Sequence, residues 1–174
     1  MYLRMAARLT VAQLLFAGMA VSQTEAEEPR LVLELGAAGE QSLKGGGSNF
    51  GPTIAVEVTP IENWLELEGG VTSLFSHGKT EWDTDLLFKK PWTISDKVEF
   101  MIGLGPQWIH TTGQGSTTNS VGGEAVLDFM FWPSSKHKFG WYLEPSYGYD
   151  FAKGHEQSLG VSVGLLIAIA SARR

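Results

Sequence analysis

Ser158-Leu-Gly-Val-Ser-Val-Gly-Leu165 alternates with a period of two: Leu159, Val161, Val163 and Leu165 fall on one side, Ser158, Gly160, Ser162 and Gly164 on the other. Successive side chains of a strand point to opposite faces, so the segment reads as a strand with one large apolar face and one face of minimal bulk. The same period continues through 156–170 and returns in seven earlier runs, 30–39, 51–60, 63–74, 80–90, 97–110, 118–132 and 139–152. Turn-forming residues separate them, among them Gly45-Gly-Gly-Ser48, Pro60-Ile-Glu-Asn63, His77-Gly78, Gly113-Gln-Gly115 and Pro133-Ser-Ser135. No run carries a 3.6-residue period. Eight short strands in sequence predict an antiparallel meander, and closure into a barrel removes its two bare edges.

Sorting every run by parity divides the chemistry cleanly. One face carries Leu31, Leu33, Leu35, Ile54, Val56, Leu86, Phe88, Phe100, Ile102, Leu127, Phe129, Trp141, Tyr147 and their like, without a charge. The other carries Glu34, Glu57, Glu66, Glu68, Asp83, Asp85, Glu99, Glu124, Asp128, Glu144 and Asp150, eleven of the chain's nineteen acids, interleaved with glycine and serine. An eight-stranded barrel has a bore barely wide enough for side chains, so the bulky apolar set would overfill it. Turned outward, that set has no volume limit, and small polar residues suit the inside. The runs also reach the ~9–11 residues that a tilted strand needs to cross a bilayer. Aromatic residues gather at run ends, with Trp64, Trp92, Trp132 and Trp141 towards one set of turns. Phe50, Phe75, Trp82, Trp108, Tyr149 and Phe151 lie towards the other, as two interfacial belts require. The fold class expected is therefore all-β, an eight-stranded antiparallel up-and-down transmembrane β-barrel.

The N-terminus reads differently. Arg4 and Arg8 precede an uncharged stretch from Leu9 to Val21, with small-residue cleavage sites after Ser22 or Ala26. This predicts a signal peptide over 1–26 and a barrel over 27–174. The apolar stretch is shorter than the ~20 residues of a membrane-spanning helix. The chain holds 174 residues, enough for one domain of ordinary size, and no cysteine, which excludes disulfides and thiol chemistry. Its formal charge of −6 has the wrong sign for gripping nucleic-acid phosphates.

In architecture the segment 29–170 resembles the small eight-stranded outer-membrane barrels of the OmpX and OmpA-transmembrane type. The resemblance implies an outer-membrane location, lipid and lipopolysaccharide as surroundings, a monomer, and a structural or interaction role without a cofactor. One departure is the C-terminal Ile167-Ala-Ile-Ala-Ser-Ala-Arg-Arg174, which lacks the terminal aromatic residue such barrels carry.

Candidate site residues concentrate in the lumen: Glu66, Glu68, Asp83, Asp85, Glu99, Glu124, Asp128 and Glu144. Only Arg30 and Lys89 share their parity as basic partners. An unpaired carboxylate in a low dielectric is costly, so these acids must be hydrated, share protons or hold a cation. A hydrated plug with Tyr142, Thr72 and serines as donors is the first expectation, and a divalent cation is the second candidate occupant. An open porin channel needs ~16–18 strands. His77, His110 and His155 are expected at one rim and His137 at the other, solvated, with spacings of 33 and 45 residues that match no metal motif. Two rivals remain. A lipid A acyl hydrolase or transferase would need a histidine beside a serine, for which His110 and Ser116 are the nearest match. A soluble periplasmic lipocalin-like barrel would turn the faces the other way.

Overall fold

The computed structural model describes residues 29–45, 47–113, 115–134, 136–152 and 154–171. The expected signal peptide, 1–26, lies outside them. The described chain forms β1 (Pro29–Ser42), β2 (Ser48–Ile61), β3 (Leu65–Ser76), β4 (Lys79–Ser95), β5 (Val98–Gly113), β6 (Ser116–Phe131), β7 (Phe139–Asp150) and β8 (Gln157–Ser171). Each strand pairs antiparallel with its sequence neighbour, and β8 returns to β1 to close the barrel.

The strands overrun several expected turns. The connection expected at 40–50 shrinks to 43–47, because β1 and β2 stay paired as far as Gln41 and Ser48. The connection expected at 91–96 is mostly strand: β4 runs on through Pro91 to Ser95, pairing Pro91 with Met101. The polar end Glu40-Gln-Ser42 weakens the alternation signal and Pro91 reads as a turn residue, yet the backbone ladder runs on through both.

The two faces lie as parity requires. Thirty large apolar side chains are exposed among the described residues, including Leu104, Val163 and Leu165, whereas Glu34, Glu57, Glu66, Glu68, Asp83, Lys89, Glu99, Asp128 and Glu144 are buried. This is the inverse of a soluble protein. Burying such a side chain is worth ~1.5–3 kcal/mol, so leaving the set in water would forfeit several times the ~5–15 kcal/mol that holds a domain together. The outer surface therefore specifies an apolar solvent. Aromatic rings mark the end of the barrel nearest both chain termini: Trp92 lies 5.9 Å from Phe100, Phe100 4.9 Å from Phe129, and Phe131 4.0 Å from Trp141. Tyr149, Phe151 and His155 cluster at the opposite end, with ring separations of 5.5 and 5.8 Å from Tyr149.

The closing seam explains the small face of the opening octapeptide. Gly164 stands opposite Gly36 across the β1–β8 pair. A Cβ on Gly164 would come within 2.3 Å of the Leu35 carbonyl oxygen and 2.7 Å of the Tyr142 ring. A Cβ on Gly36 would meet the Tyr142 hydroxyl at 2.5 Å. The glycine pair thus makes the hollow in which the Tyr142 phenol lies. Outward-facing Gly69 has nothing within 4 Å of its virtual Cβ. Gly164→Val should lower stability by ~1–3 kcal/mol through overpacking, whereas Gly69→Val should leave it unchanged or raise it. Urea unfolding of the two variants in detergent micelles, followed by tryptophan fluorescence, measures the difference.

Candidate functional site

The lumen is built in layers. At the end holding the termini, Val32, Met101, Met130, Trp132, Tyr142 and Leu166 form a buried apolar cluster. Two sequence expectations are corrected here. Trp132 is no belt residue: it keeps the inward parity of Val126, Asp128 and Met130, its backbone N–H donates to the Lys97 carbonyl at 2.7 Å, and the buried indole joins the apolar cluster inside the bore. His137 is not a solvated rim residue: it is buried, stacks on Trp132 at 5.0 Å, and donates from Nε2 to the Asp96 carbonyl at 2.8 Å. The lumen is therefore not polar throughout but stoppered at one end by apolar side chains.

Above the stopper sits Lys89, wholly buried from the middle of β4. Its ammonium donates to Asp128 Oδ2 and Glu144 Oε2, each at 2.8 Å, makes a close ion pair with Glu68, and lies 3.7 Å from Glu57. The strand register shows why a cation is needed here. Glu57 stands directly opposite Glu68 between β2 and β3, a like-charge pairing that repels. Lys89 stands opposite Glu66 on the next strand, and its long side chain reaches the centre of the bore. Glu34 completes the group, with carboxylate oxygens of Glu34, Glu57, Glu68 and Asp128 within 4.8 Å of one another. One ammonium faces five carboxylates, so the layer stays net acidic.

The second basic partner read from parity, Arg30, is not in the lumen. The β1–β8 register shifts between Pro29 and Val32, so the parity of the strand interior does not extend to Arg30. Its guanidinium is exposed and pairs with Glu62 at 3.7 Å.

Towards the other end the lumen opens into a cavity of about 540 Å³, counted with its open mouth. Glu40, Glu68, Asp83, Asp85, Glu124 and Glu144 line it among glycines, serines and threonines, with no lysine or arginine in the lining. Thr53 and Thr72 share a hydroxyl–hydroxyl hydrogen bond of 2.7 Å in its wall. Among the inward acids of β3 and β4, Glu68 reaches down to Lys89 as well as bordering the cavity, while Asp83 and Asp85 line it higher up. Glu99 is buried nearer the stopper, opposite Met130. Neither Glu40 nor Glu81 is among the sequence candidates: Glu40 lies one residue past the run 30–39, and Glu81 is the second residue of 80–90, at an edge given no weight. Extending the inward parity, 34-36-38 to 40 and 85-83 to 81, would have found both.

The remaining histidines stay apart from one another. His77 and His155 are exposed in the connections, and His110 bonds through Nδ1 to Asn119 Oδ1 at 2.7 Å, its direct cross-strand partner. Ser116 pairs with Gly113 and donates to that carbonyl at 3.2 Å, so the register does not bring it to His110.

No family model and no curated protein matches the sequence. Solved structures do match the fold. Neisserial surface protein A aligns with a TM-score of 0.67 at 14% identity, covering 80% of this chain and 97% of that one. Ail, the attachment invasion locus protein of Yersinia pestis, gives 0.54 at 12% identity, over 80% and 98%. The N-terminal β-barrel domain of OprF from Pseudomonas aeruginosa gives 0.54 at 14%, over 80% and 100%. Ail matches again, at 0.55 and 13%, as its complex with the heparin analogue sucrose octasulfate. The chain thus has the fold of the small outer-membrane barrels.

Removing Lys89 alone strands its carboxylates. Lys89→Met should cost ~3–5 kcal/mol of stability, because a buried ion network that loses one partner keeps the desolvation penalty of the others. Adding Glu68→Gln, Asp128→Asn and Glu144→Gln to Lys89→Met should recover most of it. Guanidinium unfolding of both variants in micelles provides the comparison.

Proposed function

We propose that this chain is an outer-membrane barrel protein of structural or interaction type, a monomer set in lipid and lipopolysaccharide and carrying no open pore. The observation that supports this best is the combination of a closed eight-stranded barrel, a continuous apolar outer face and a bore stoppered by Trp132 and its neighbours. The likeness in fold to three outer-membrane barrels points the same way. Lysines sit where phosphate headgroups would lie. Lys90, Lys97, Lys136 and Lys138 gather at the rim by the termini, and Lys90 reaches back over Trp92 at 5.7 Å, a snorkelling posture. On this reading the acids around Lys89 are filling, organised by its ammonium, and not catalytic groups.

The polyanion held by Ail is not carried over. At the open end Lys44 spends its donors on the carbonyls of Gly154 and His155, both at 2.7 Å. The acidic cavity beneath would repel a sulfated ligand. Nor does the register bring Ser116 to His110, so expression of the chain should leave the mass spectrum of lipid A unchanged.

Depth in the bilayer supplies the test. Leu127 and Val163 face outward in mid-strand, and arginine at either should cost ~2–4 kcal/mol on insertion. Thr117 shares the parity of Leu127 on β6 but lies near its end, where arginine costs only ~0–1 kcal/mol. Leu127→Arg and Val163→Arg should therefore deplete the heat-modifiable folded band from the outer-membrane fraction, while Thr117→Arg keeps it. A wild-type chain recovered in the soluble periplasmic fraction would overturn the proposal.

A further inference from the structure

We propose that the open half of the lumen binds one calcium ion through the carboxylates of Glu40, Glu81 and Asp83. The site would exist in any barrel of this geometry, whichever membrane holds it.

The three residues converge from opposite sides of the bore. Glu40 ends β1, and Glu81 and Asp83 begin β4, strands that are not neighbours in the sheet. Glu81 and Asp83 are same-face neighbours two residues apart on β4, and no strand register brings Glu40 to them. Each nevertheless offers a carboxylate oxygen within 4.8 Å of the other two. Oxygens bound to one calcium at ~2.3–2.6 Å can lie at most ~5 Å apart, so the spread suits a single ion.

Asp83 supplies an independent sign. It is only 4% exposed, and its Oδ1 is buried without a hydrogen-bond partner. A buried carboxylate oxygen with no donor is expensive, and a cation is the partner that removes the expense for all three groups at once. Glu81 is held in place by the Thr111 hydroxyl, which donates to Oε2 at 3.0 Å. Other charges in reach are mostly of the same sign, from Asp85, Glu124, Asp150 and Glu156. Lys79 also acts on Glu81, but from an exposed position at the mouth.

The lower layer shows how this barrel resolves the same difficulty when it can. There four carboxylates converge equally closely, and the Lys89 ammonium sits among them. The upper trio has no such side chain, yet Glu40 and Asp83 line a cavity that opens to solvent. Three carboxylates completed by water favour calcium over magnesium, which demands a tighter octahedron.

The full chain, purified in detergent and freed of metal with chelator, is titrated with calcium chloride at constant ionic strength. Melting is followed by circular dichroism and binding by calorimetry. One ion per chain should bind, with a dissociation constant on the order of 10⁻⁴–10⁻³ M, and the melting temperature should rise with saturation. Asp83→Asn should weaken binding at least tenfold and, in chelator, melt above wild type because a repulsion is gone. Glu62→Gln, at the other rim, should keep the full response. If Asp83→Asn does not fold, Glu40→Gln takes its place with the same expectation. No calcium response in wild type, an equal response to sodium chloride, or a full response in the Asp83 or Glu40 variant would overturn the site.

Discussion

A sheet of eight strands that closes on itself fixes its own bore, and that bore is only wide enough for a single layer of modest side chains. Everything else in this chain follows from the limit. Bulk is driven outward, where Leu104, Trp108 and Leu165 stand exposed, and the inside is left to glycine, serine and a few long side chains meeting at the axis. Tyr142 fits only because Gly36 and Gly164 give up their side-chain volume to it. The outward bulk in turn dictates an apolar surrounding, so the geometry of closure and the choice of solvent are one constraint seen from two sides.

Filling so narrow a bore with carboxylates is not the most stable solution. Well-packed apolar residues commonly match or exceed a buried ion network. The chain uses both. Met101, Met130, Trp132 and Leu166 pack one end without charge, while Lys89 binds β4 to β2, β3, β6 and β7 through Glu57, Glu68, Asp128 and Glu144. A central ammonium with partners on four other strands ties together elements that touch only their immediate neighbours in the sheet. Each of these ion pairs has one geometry in which all are met, which favours a single register of the barrel over slipped alternatives.

Most of the fold was legible because the signal is redundant. Parity in Leu159, Val161, Val163 and Leu165 is repeated by every other strand, and an error in one run would not have changed the count. Legibility failed where local pattern yields to tertiary contact. A strand end such as Glu40-Gln-Ser42 is polar on both faces, so period two has nothing to register there, although its backbone remains paired. Arg30 follows the alternation in sequence and breaks it in space, beside a register shift, whereas Trp132 keeps the inward parity of Met130 and only its place at a strand end suggests a belt position. The identity of the inward acids could be read, but their grouping could not. Whether Asp83 meets Glu68 or Glu40 depends on shear and on the reach of Lys89 across the axis, and neither is encoded within one strand.

The glycine seam also governs the order in which the molecule can assemble. Seven of the eight pairings join strands that follow each other in the chain, so each can form as a hairpin with little loop-closure entropy. The eighth must unite Pro29–Ser42 with Gln157–Ser171, partners at the far ends of the described chain. Until it forms, β1 and β8 each present an unpaired edge, and neither the Tyr142 hollow nor the Lys89 layer has its full wall. Side chains that depend on that wall gain nothing from partial closure, which makes the final pairing cooperative and places it late. The narrow contact between two residues without side chains is thus a kinetic latch: it lets the two edges approach face to face at the one moment when nothing else yet holds them together.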